Sequence, residues 1–209
     1  MNTKNYKKLI YGLMLASAIT VAPIMQPVAA HAATNISTVS KSSVVASAKK
    51  KQSSTKKKQS STAKAFNKMC NWIKKNGYEE DYHYGYIDGP VQIAYVDNYA
   101  SVAYYFEEYG IGNIGFDFTK SGKYVEISYN PGGDNNEIVL TAKMPKKKFG
   151  SMATPDWELD ENSVIKGYKK SDVKKFSDDA NDAITQAYSE WNDALKKMGV
   201  SMKKLGFKN

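Results

Sequence analysis

Two stretches of the chain repeat apolar residues at the spacing of an α-helix. The first predicts a helix over Thr62–Asn76, with Gly77 as its C-terminal stop. The apolar face of this helix consists of Phe66, Met69, Cys70 and Ile73. The second stretch predicts a longer helix, from a cap at Ser171 to about Met198. Its apolar stripe consists of Val173, Phe176, Ala180, Ile184, Ala187, Trp191, Ala194 and Met198.

Between the two helices, apolar and polar residues alternate as they do along half-buried strands. Asn113–Thr119 and Lys123–Tyr129 flank a Lys-Ser-Gly-Lys sequence that favours a hairpin turn. Residues 99–107 fit both helical and strand spacing, and their aromatic and β-branched content favours a strand. Ser163–Tyr168 is predicted as a further short strand.

The order of helix, strands and helix predicts an α+β domain over residues 64–209. We expect an N-terminal helix, an antiparallel meander of about five strands, and a long C-terminal helix packed on one sheet face. A domain of this length can bury enough apolar surface to be stable without disulfides. The single cysteine, Cys70, lies on the apolar side of the first helix, so we predict that it is buried.

Residues 1–32 have the pattern of a secretory signal peptide. Lys4, Lys7 and Lys8 precede the apolar run Leu9–Ala22, and Ala-His-Ala at residues 30–32 supplies small residues for cleavage. The run is short for a membrane span, and an uncleaved N-terminal anchor is the alternative interpretation. We therefore predict a secreted, extracellular protein without a transmembrane segment after cleavage, and retention at the cell wall is a further hypothesis.

Residues 33–63 are predicted to form a disordered linker, because Ser, Thr, Ala and Lys without aromatic residues cannot form a packed core. A seven-residue sequence, KKKQSST, stands at residues 49–55 and again at 56–62. The linker is either a solubilising spacer or a tether to anionic wall polymers, held by charge attraction that salt weakens. We name the residues of this tether the tether lysines: Lys49, Lys50, Lys51, Lys56, Lys57 and Lys58.

The formal charge of +9 does not belong to the domain. All 30 basic residues are lysines, and 11 of them precede residue 65, so 30 − 11 = 19 lysines face 21 acidic residues beyond that point. Nucleic-acid recognition favours arginine, which contacts phosphates and base edges with two hydrogen bonds at once. A domain without arginine and with a small negative net charge is therefore not expected to bind nucleic acid.

Motifs for catalysis, metals and cofactors are weak, and we expect no cofactor and no metal site. Gly110–Gly115 matches the dinucleotide fingerprint in letters, but the following residues continue as a strand rather than a helix. His83, the one histidine after residue 32, follows Glu79-Glu80-Asp81 and is predicted to lie in a solvated turn. Two acidic stretches, 134–137 and 156–160, lack the calcium-loop pattern. A pair of carboxylates for glycoside cleavage is neither predicted nor excluded, because the sequence does not give the separation of two carboxyl groups.

Tyrosines are concentrated between residues 78 and 129, where eleven of the fifteen lie. Tyr82, Tyr84 and Tyr86 are spaced two apart, so on a strand they share one face, and Trp157 is added as a further aromatic candidate. Such residues are either half-buried parts of the sheet or an acidic aromatic surface for a peptide or glycan. The preferred hypothesis is a non-enzymatic, exported binding module with a basic tether. A small wall-directed hydrolase that uses carboxylates, or an immunity or inhibitor-type protein, are the alternatives.

Overall fold

A computed structural model describes residues 59–81, 83–106 and 112–208. The predicted signal peptide, nearly all of the predicted linker and the six tether lysines lie outside these residues. Three α-helices stand in the described part: α1 at Ser61–Asn76, α2 at Glu161–Ile165 and α3 at Lys170–Lys197. No helix among these residues is long and apolar enough to cross a membrane.

Helix α1 agrees with the prediction to within one residue. The Ser60 hydroxyl accepts a hydrogen bond from the backbone N–H of Ala63 and caps the first turn. Lys74 and Lys75 lie in the last turn, where the helix dipole favours cations. The predicted apolar face is buried, and it includes Cys70, whose predicted burial is confirmed. Burial raises the pKa of the Cys70 thiol to about 12, so this thiol is inert at ordinary pH.

The sheet is antiparallel throughout and has eight strands in sequential order, which corrects the expected five. The additional members include two short strands at the edges, three and two residues long, whose alternation is too brief to be recognised in a sequence. Within residues 99–107, which fitted two patterns, Tyr99–Tyr105 form a strand. The strands are β1 (Tyr78–Glu80), β2 (His83–Asp88), β3 (Val91–Val96), β4 (Tyr99–Tyr105), β5 (Asn113–Thr119), β6 (Tyr124–Asn130), β7 (Leu140–Pro145) and β8 (Glu158–Leu159).

Helices α1 and α3 pack on the apolar face of this sheet, as the α+β prediction requires. The core of this layer is aromatic, and Phe116 of β5 lies at its centre. Its ring centroid is 4.9 Å from those of Phe149 and Trp191, 5.1 Å from Phe207 and 5.6 Å from Phe118. The helix, the sheet and the C-terminal segment thus share one cluster of rings. Edge-to-face pairs of this kind add to the stability that area burial supplies.

Two predictions around the long helix are wrong. Ser163–Tyr168 is not a strand, since the short helix α2 occupies Glu161–Ile165 and the Asp160 carboxylate caps it through the backbone N–H of Asn162. Helix α3 is not capped by Ser171. Its N-cap is Lys169, whose backbone N–H donates to the Asp172 carboxylate over 2.6 Å. In both places an aspartate carboxylate accepts a hydrogen bond from a backbone N–H group at the start of a helix. This hydrogen bond decides where the helix begins more strongly than the pattern used for the prediction.

The segment after α3 returns to the sheet and is held there by a buried lysine, Lys146. Its ammonium donates to the carbonyl oxygens of Thr119 and Leu205, at 3.1 and 3.5 Å. It also lies 5.0 Å from the ring centroids of both Phe118 and Phe207. Burial lowers the pKa of Lys146 to about 8. One side chain therefore joins the end of β5 to the C-terminal segment without any carboxylate partner in the described residues.

Candidate functional site

The sheet face opposite the aromatic core is polar, and we name it the polar face. Residues paired directly across an antiparallel sheet point to the same side, so the strand register defines rows that cross this face. One row crosses seven strands and consists of Tyr78, Gly85, Ala94, Ser101, Asp117, Glu126 and Lys143. The next row consists of Ile87, Gln92, Ala103, Gly115, Ser128, Thr141 and Glu158. Small residues occupy the middle of both rows, with larger polar and aromatic residues on either side.

At the β1 side of the polar face, two tyrosines are joined through a glutamine. The Tyr78 ring lies across Gly85, in the space that a Cβ at position 85 would need. The Gln92 amide donates to the Tyr78 hydroxyl at 2.9 Å and accepts from the Tyr105 hydroxyl at 3.0 Å. This chain of hydrogen bonds spans four strands and fixes both rings. Burial is the main cause that raises the pKa of Tyr78, so its phenol stays neutral and available as a hydrogen-bonding group.

In the middle of the polar face, two carboxylates come from neighbouring strands. Asp117 of β5 pairs directly with Glu126 of β6, and Glu126 pairs directly with Lys143 of β7. Side chains at directly paired positions leave Cβ atoms about 5 Å apart. Asp117 is only 7% exposed, whereas Glu126 is half-buried and Lys143 is exposed. The structure therefore brings together two acids that the sequence could not place beside each other.

The polar face carries an excess of negative charge. Among the strand residues that point to this side, one lysine, Lys143, accompanies four carboxylates, which are Glu80, Asp117, Glu126 and Glu158. A face of this kind attracts cationic groups and repels phosphates. Of the strand tyrosines among the described residues, four point to this side, which are Tyr78, Tyr99, Tyr105 and Tyr124, so a ligand-binding role for an acidic aromatic surface stays a prediction.

His83 lies on the polar face and is buried, with 3% of its surface exposed, so the predicted solvated turn is wrong for this residue. Its Nε2 atom is 3.9 Å from the Glu80 carboxylate, and its ring packs edge-on against Tyr78. Its Nδ1 atom has no hydrogen-bond partner among the described residues. An unpaired buried nitrogen costs stability, of the order of 1–3 kcal/mol.

Two of the tyrosines predicted as ligand contacts lie on the helix-packed side of the sheet. Tyr84 stacks on Tyr95 with ring centroids 5.2 Å apart, and Lys74 of α1 lies over its ring. Tyr86 meets Trp72 of α1 edge to face at 4.8 Å. Both rings are half-buried and use their faces for packing. Their spacing on one face was predicted correctly, and ligand contact by either residue stays a prediction.

The other predicted site residues are either buried or outside the described residues. Trp157 is buried, and its indole N–H donates to the Asn181 side chain at 2.9 Å. Tyr82 and the six tether lysines lie outside the described residues. The described residues contain no cluster of three or more His, Cys, Asp or Glu side chains that could hold a metal ion.

No protein-family model, no curated protein and no solved structure matches this chain. Function is therefore inferred from the side chains on the polar face and from their chemistry.

Sequence reasoning did not select the residues that the polar face brings together. Tyr78, Gln92 and Tyr105 were each visible as strand residues, and Asp117 was visible between two phenylalanines. The alternation within a strand shows which residues share a face. Which residues of different strands are neighbours depends on register, and register depends on turn lengths and packing.

Proposed function

We propose that this protein is an exported, non-enzymatic binding module whose polar face binds a glycan that carries free amino groups. The observation that carries this proposal is the row from Tyr78 to Lys143. It places a fixed aromatic ring, a floor of small residues and a pair of carboxylates in register across one sheet face. The predicted basic linker would retain the module on anionic surface polymers.

The chemistry of this row suits a sugar. A fixed tyrosine ring offers a flat apolar surface at low entropic cost, and amide and hydroxyl groups supply directional hydrogen bonds beside it. Gln92 already holds Tyr78 and Tyr105 in place, so little ordering remains for the ligand to cause. Ala94, which is half-buried, and Ser101, which is fully buried, stand between the tyrosines and the carboxylates in this row and carry only small side chains. The excess of carboxylates favours an amino sugar over an acidic one.

Calorimetric titration of the full chain with a glucosamine oligosaccharide tests this proposal. We expect measurable binding, with an affinity at least tenfold lower for Tyr105→Ala and for Glu126→Gln. Each single loss removes a ring surface or a charge-assisted hydrogen bond, and a factor of ten corresponds to about 1.4 kcal/mol. Glu161→Gln, at an exposed position on α2, is the matched charge control and should bind as the parent does. Absence of binding in the parent, or equal affinity in all variants, would overturn the proposal.

A specific observation also favours a second candidate, a glycoside hydrolase. Asp117 and Glu126 are directly paired, and retaining glycosidases use two carboxyl groups about 5–5.5 Å apart. The same oligosaccharide separates the two candidates. A hydrolase would release new reducing ends at a rate that Asp117→Asn abolishes, whereas a binding module would release none.

A further inference from the structure

A group of lysines gathers at the end of the sheet where β5, β6 and β7 meet their turns. The backbone N–H of Lys146 donates to the Lys123 carbonyl at 2.9 Å, and the N–H of Lys208 donates to the Lys146 carbonyl at 3.1 Å. These two bonds join the β5–β6 turn, the turn after β7 and the C-terminal segment. Six exposed lysines lie on these three segments, and we name them the basic pole: Lys123, Lys147, Lys148, Lys203, Lys204 and Lys208.

Carboxylates are scarce in the segments that form the basic pole. Residues 119–125, 143–155 and 194–208 contain no aspartate or glutamate. None of the six lysines forms an ion pair with a carboxylate in the part of the chain that the structure describes. Asp97 lies in the β3–β4 turn, which contacts the β5–β6 turn through the hydrogen bond from the N–H of Lys120 to the Asn98 carbonyl. The pole is therefore a local positive field on a domain whose net charge is slightly negative.

The basic pole cannot vary freely in shape, because the segments that carry it are anchored in the core. Leu205 and Phe207 are fully buried beside Lys203, Lys204 and Lys208. The buried ammonium of Lys146 holds the Leu205 carbonyl beneath them. Six like charges fixed close together repel one another, and a bound polyanion would relieve this repulsion.

We infer that the basic pole is a binding site of its own, for a phosphodiester polymer without bases, such as a poly(alditol phosphate). Lysine binds phosphate as a point charge and suits a flexible polymer with one charge per repeat. Base readout requires arginine or several stacking rings: arginine is absent from the chain, and Tyr124, beside Lys123, is the one largely exposed aromatic residue among those described. A membrane surface calls for several apolar side chains beside the charges, and Met152 is the one exposed aliphatic residue within the three pole segments among the described residues, since Ile87, Val164 and Ile165 lie outside them.

Affinity measurements on full-length chains test the inference. The chains first receive glutamine at the six tether lysines, so that Lys41 is the one charged residue left in the predicted linker. A pole variant then carries Lys147→Gln, Lys148→Gln, Lys203→Gln and Lys204→Gln. A control variant carries glutamine at four exposed lysines outside the pole, which are Lys75, Lys166, Lys170 and Lys174. The two variants have equal net charge, and the probe is poly(glycerol phosphate) at several salt concentrations.

We expect the pole variant to bind the polymer at least tenfold more weakly than the control variant at low salt. Its plot of log affinity against log salt should also be flatter by about 3, because each lost phosphate contact releases about one counterion fewer. Two double variants, Lys147→Gln with Lys148→Gln and Lys203→Gln with Lys204→Gln, should each show part of the loss of affinity. Such partial losses separate a binding defect from misfolding. Glu126→Gln on the polar face should leave polymer binding unchanged, so this test is independent of the glycan proposal.

Three results would overturn the inference. Equal losses in the pole and control variants would show that only net charge matters. Unchanged affinity in the pole variant would place binding elsewhere. If the protein bound single-stranded DNA of the same charge with equal affinity, and the pole variant lost as much affinity for it, the site would not prefer a polymer without bases.

Discussion

The ring of Tyr78 occupies the space that any side chain at position 85 would fill, so Gly85 and Tyr78 form one packing unit across β1 and β2. Glycine weakens a strand because it has no side chain to pack, and an aromatic ring from the neighbouring strand can cover it. Here the cover also brings the Tyr78 hydroxyl to Gln92, two strands from β1. The relationship thus connects the stability of the sheet edge with the geometry of the polar face.

Gly85→Ala should displace the Tyr78 ring and lower the free energy of unfolding by about 1–3 kcal/mol, because the added methyl group overpacks the site. In a Tyr78→Ala background the space is open, so the same change should cost far less. Urea denaturation of the parent, the two single variants and the double variant measures this coupling. Additive losses would show that the ring does not lie where the structure has it.

Tyr86→Ser should lower the free energy of unfolding by about 2–3 kcal/mol, because it removes a half-buried ring that packs on Trp72. Tyr124→Ser is the matched control. That ring is 63% exposed, so its loss should change stability by less than about 0.5 kcal/mol. Thermal denaturation distinguishes the two roles, and a Tyr86→Ser variant of unchanged stability would show that the ring does not stabilise the fold through Trp72.

Lys146 should make stability depend on pH in the alkaline range. Its folded pKa of about 8 lies below the ordinary lysine value of 10.5, so between these values the unfolded chain binds more protons than the folded one. Stability then rises with pH through this window, and below pH 8 the full cost of burying the charge is present. With allowance for partial water access and for the two ring contacts, the gain is on the order of 2 kcal/mol.

Urea denaturation at pH 7 and at pH 10 measures this effect, with Lys146→Met as the control that keeps the stem and lacks the charge. The parent should gain about 2 kcal/mol relative to the variant between the two values, since titration of the other lysines and tyrosines cancels in the comparison. Equal pH dependence in both proteins would show that the ammonium is not desolvated as the structure indicates.

The elements of this fold could be predicted largely from local patterns. The apolar stripes from Phe66 to Ile73 and from Phe176 to Ala194 coincide with buried helix faces, because a 3.6-residue period determines which side chains share a face. The turn between β5 and β6 was visible in its glycine and polar residues. The two shortest strands were missed, since three and two residues carry no usable period.

The neighbours across the sheet could not be predicted in the same way. Asp117 and Glu126 are nine positions apart in sequence, and a shift of one residue in register would have sent their side chains to opposite faces. Burial of Lys146 was equally invisible, because its partners, Thr119 and Leu205, are far from it along the chain. Local composition there, three lysines after a proline, is typical of a solvated loop.

By itself, the sequence determined where the helices and most strands lie, that positive charge is concentrated in residues 1–64 while the rest of the chain is near neutral, and that Cys70 faces inward. These properties depend on spacing and composition, which are local. Only the tertiary structure decided which face of the sheet the helices cover, and hence that Tyr84 and Tyr86 pack on α1 while Tyr78 and Tyr105 line the polar face. That outcome depends on the register and packing of eight strands together, which residues close in sequence do not encode.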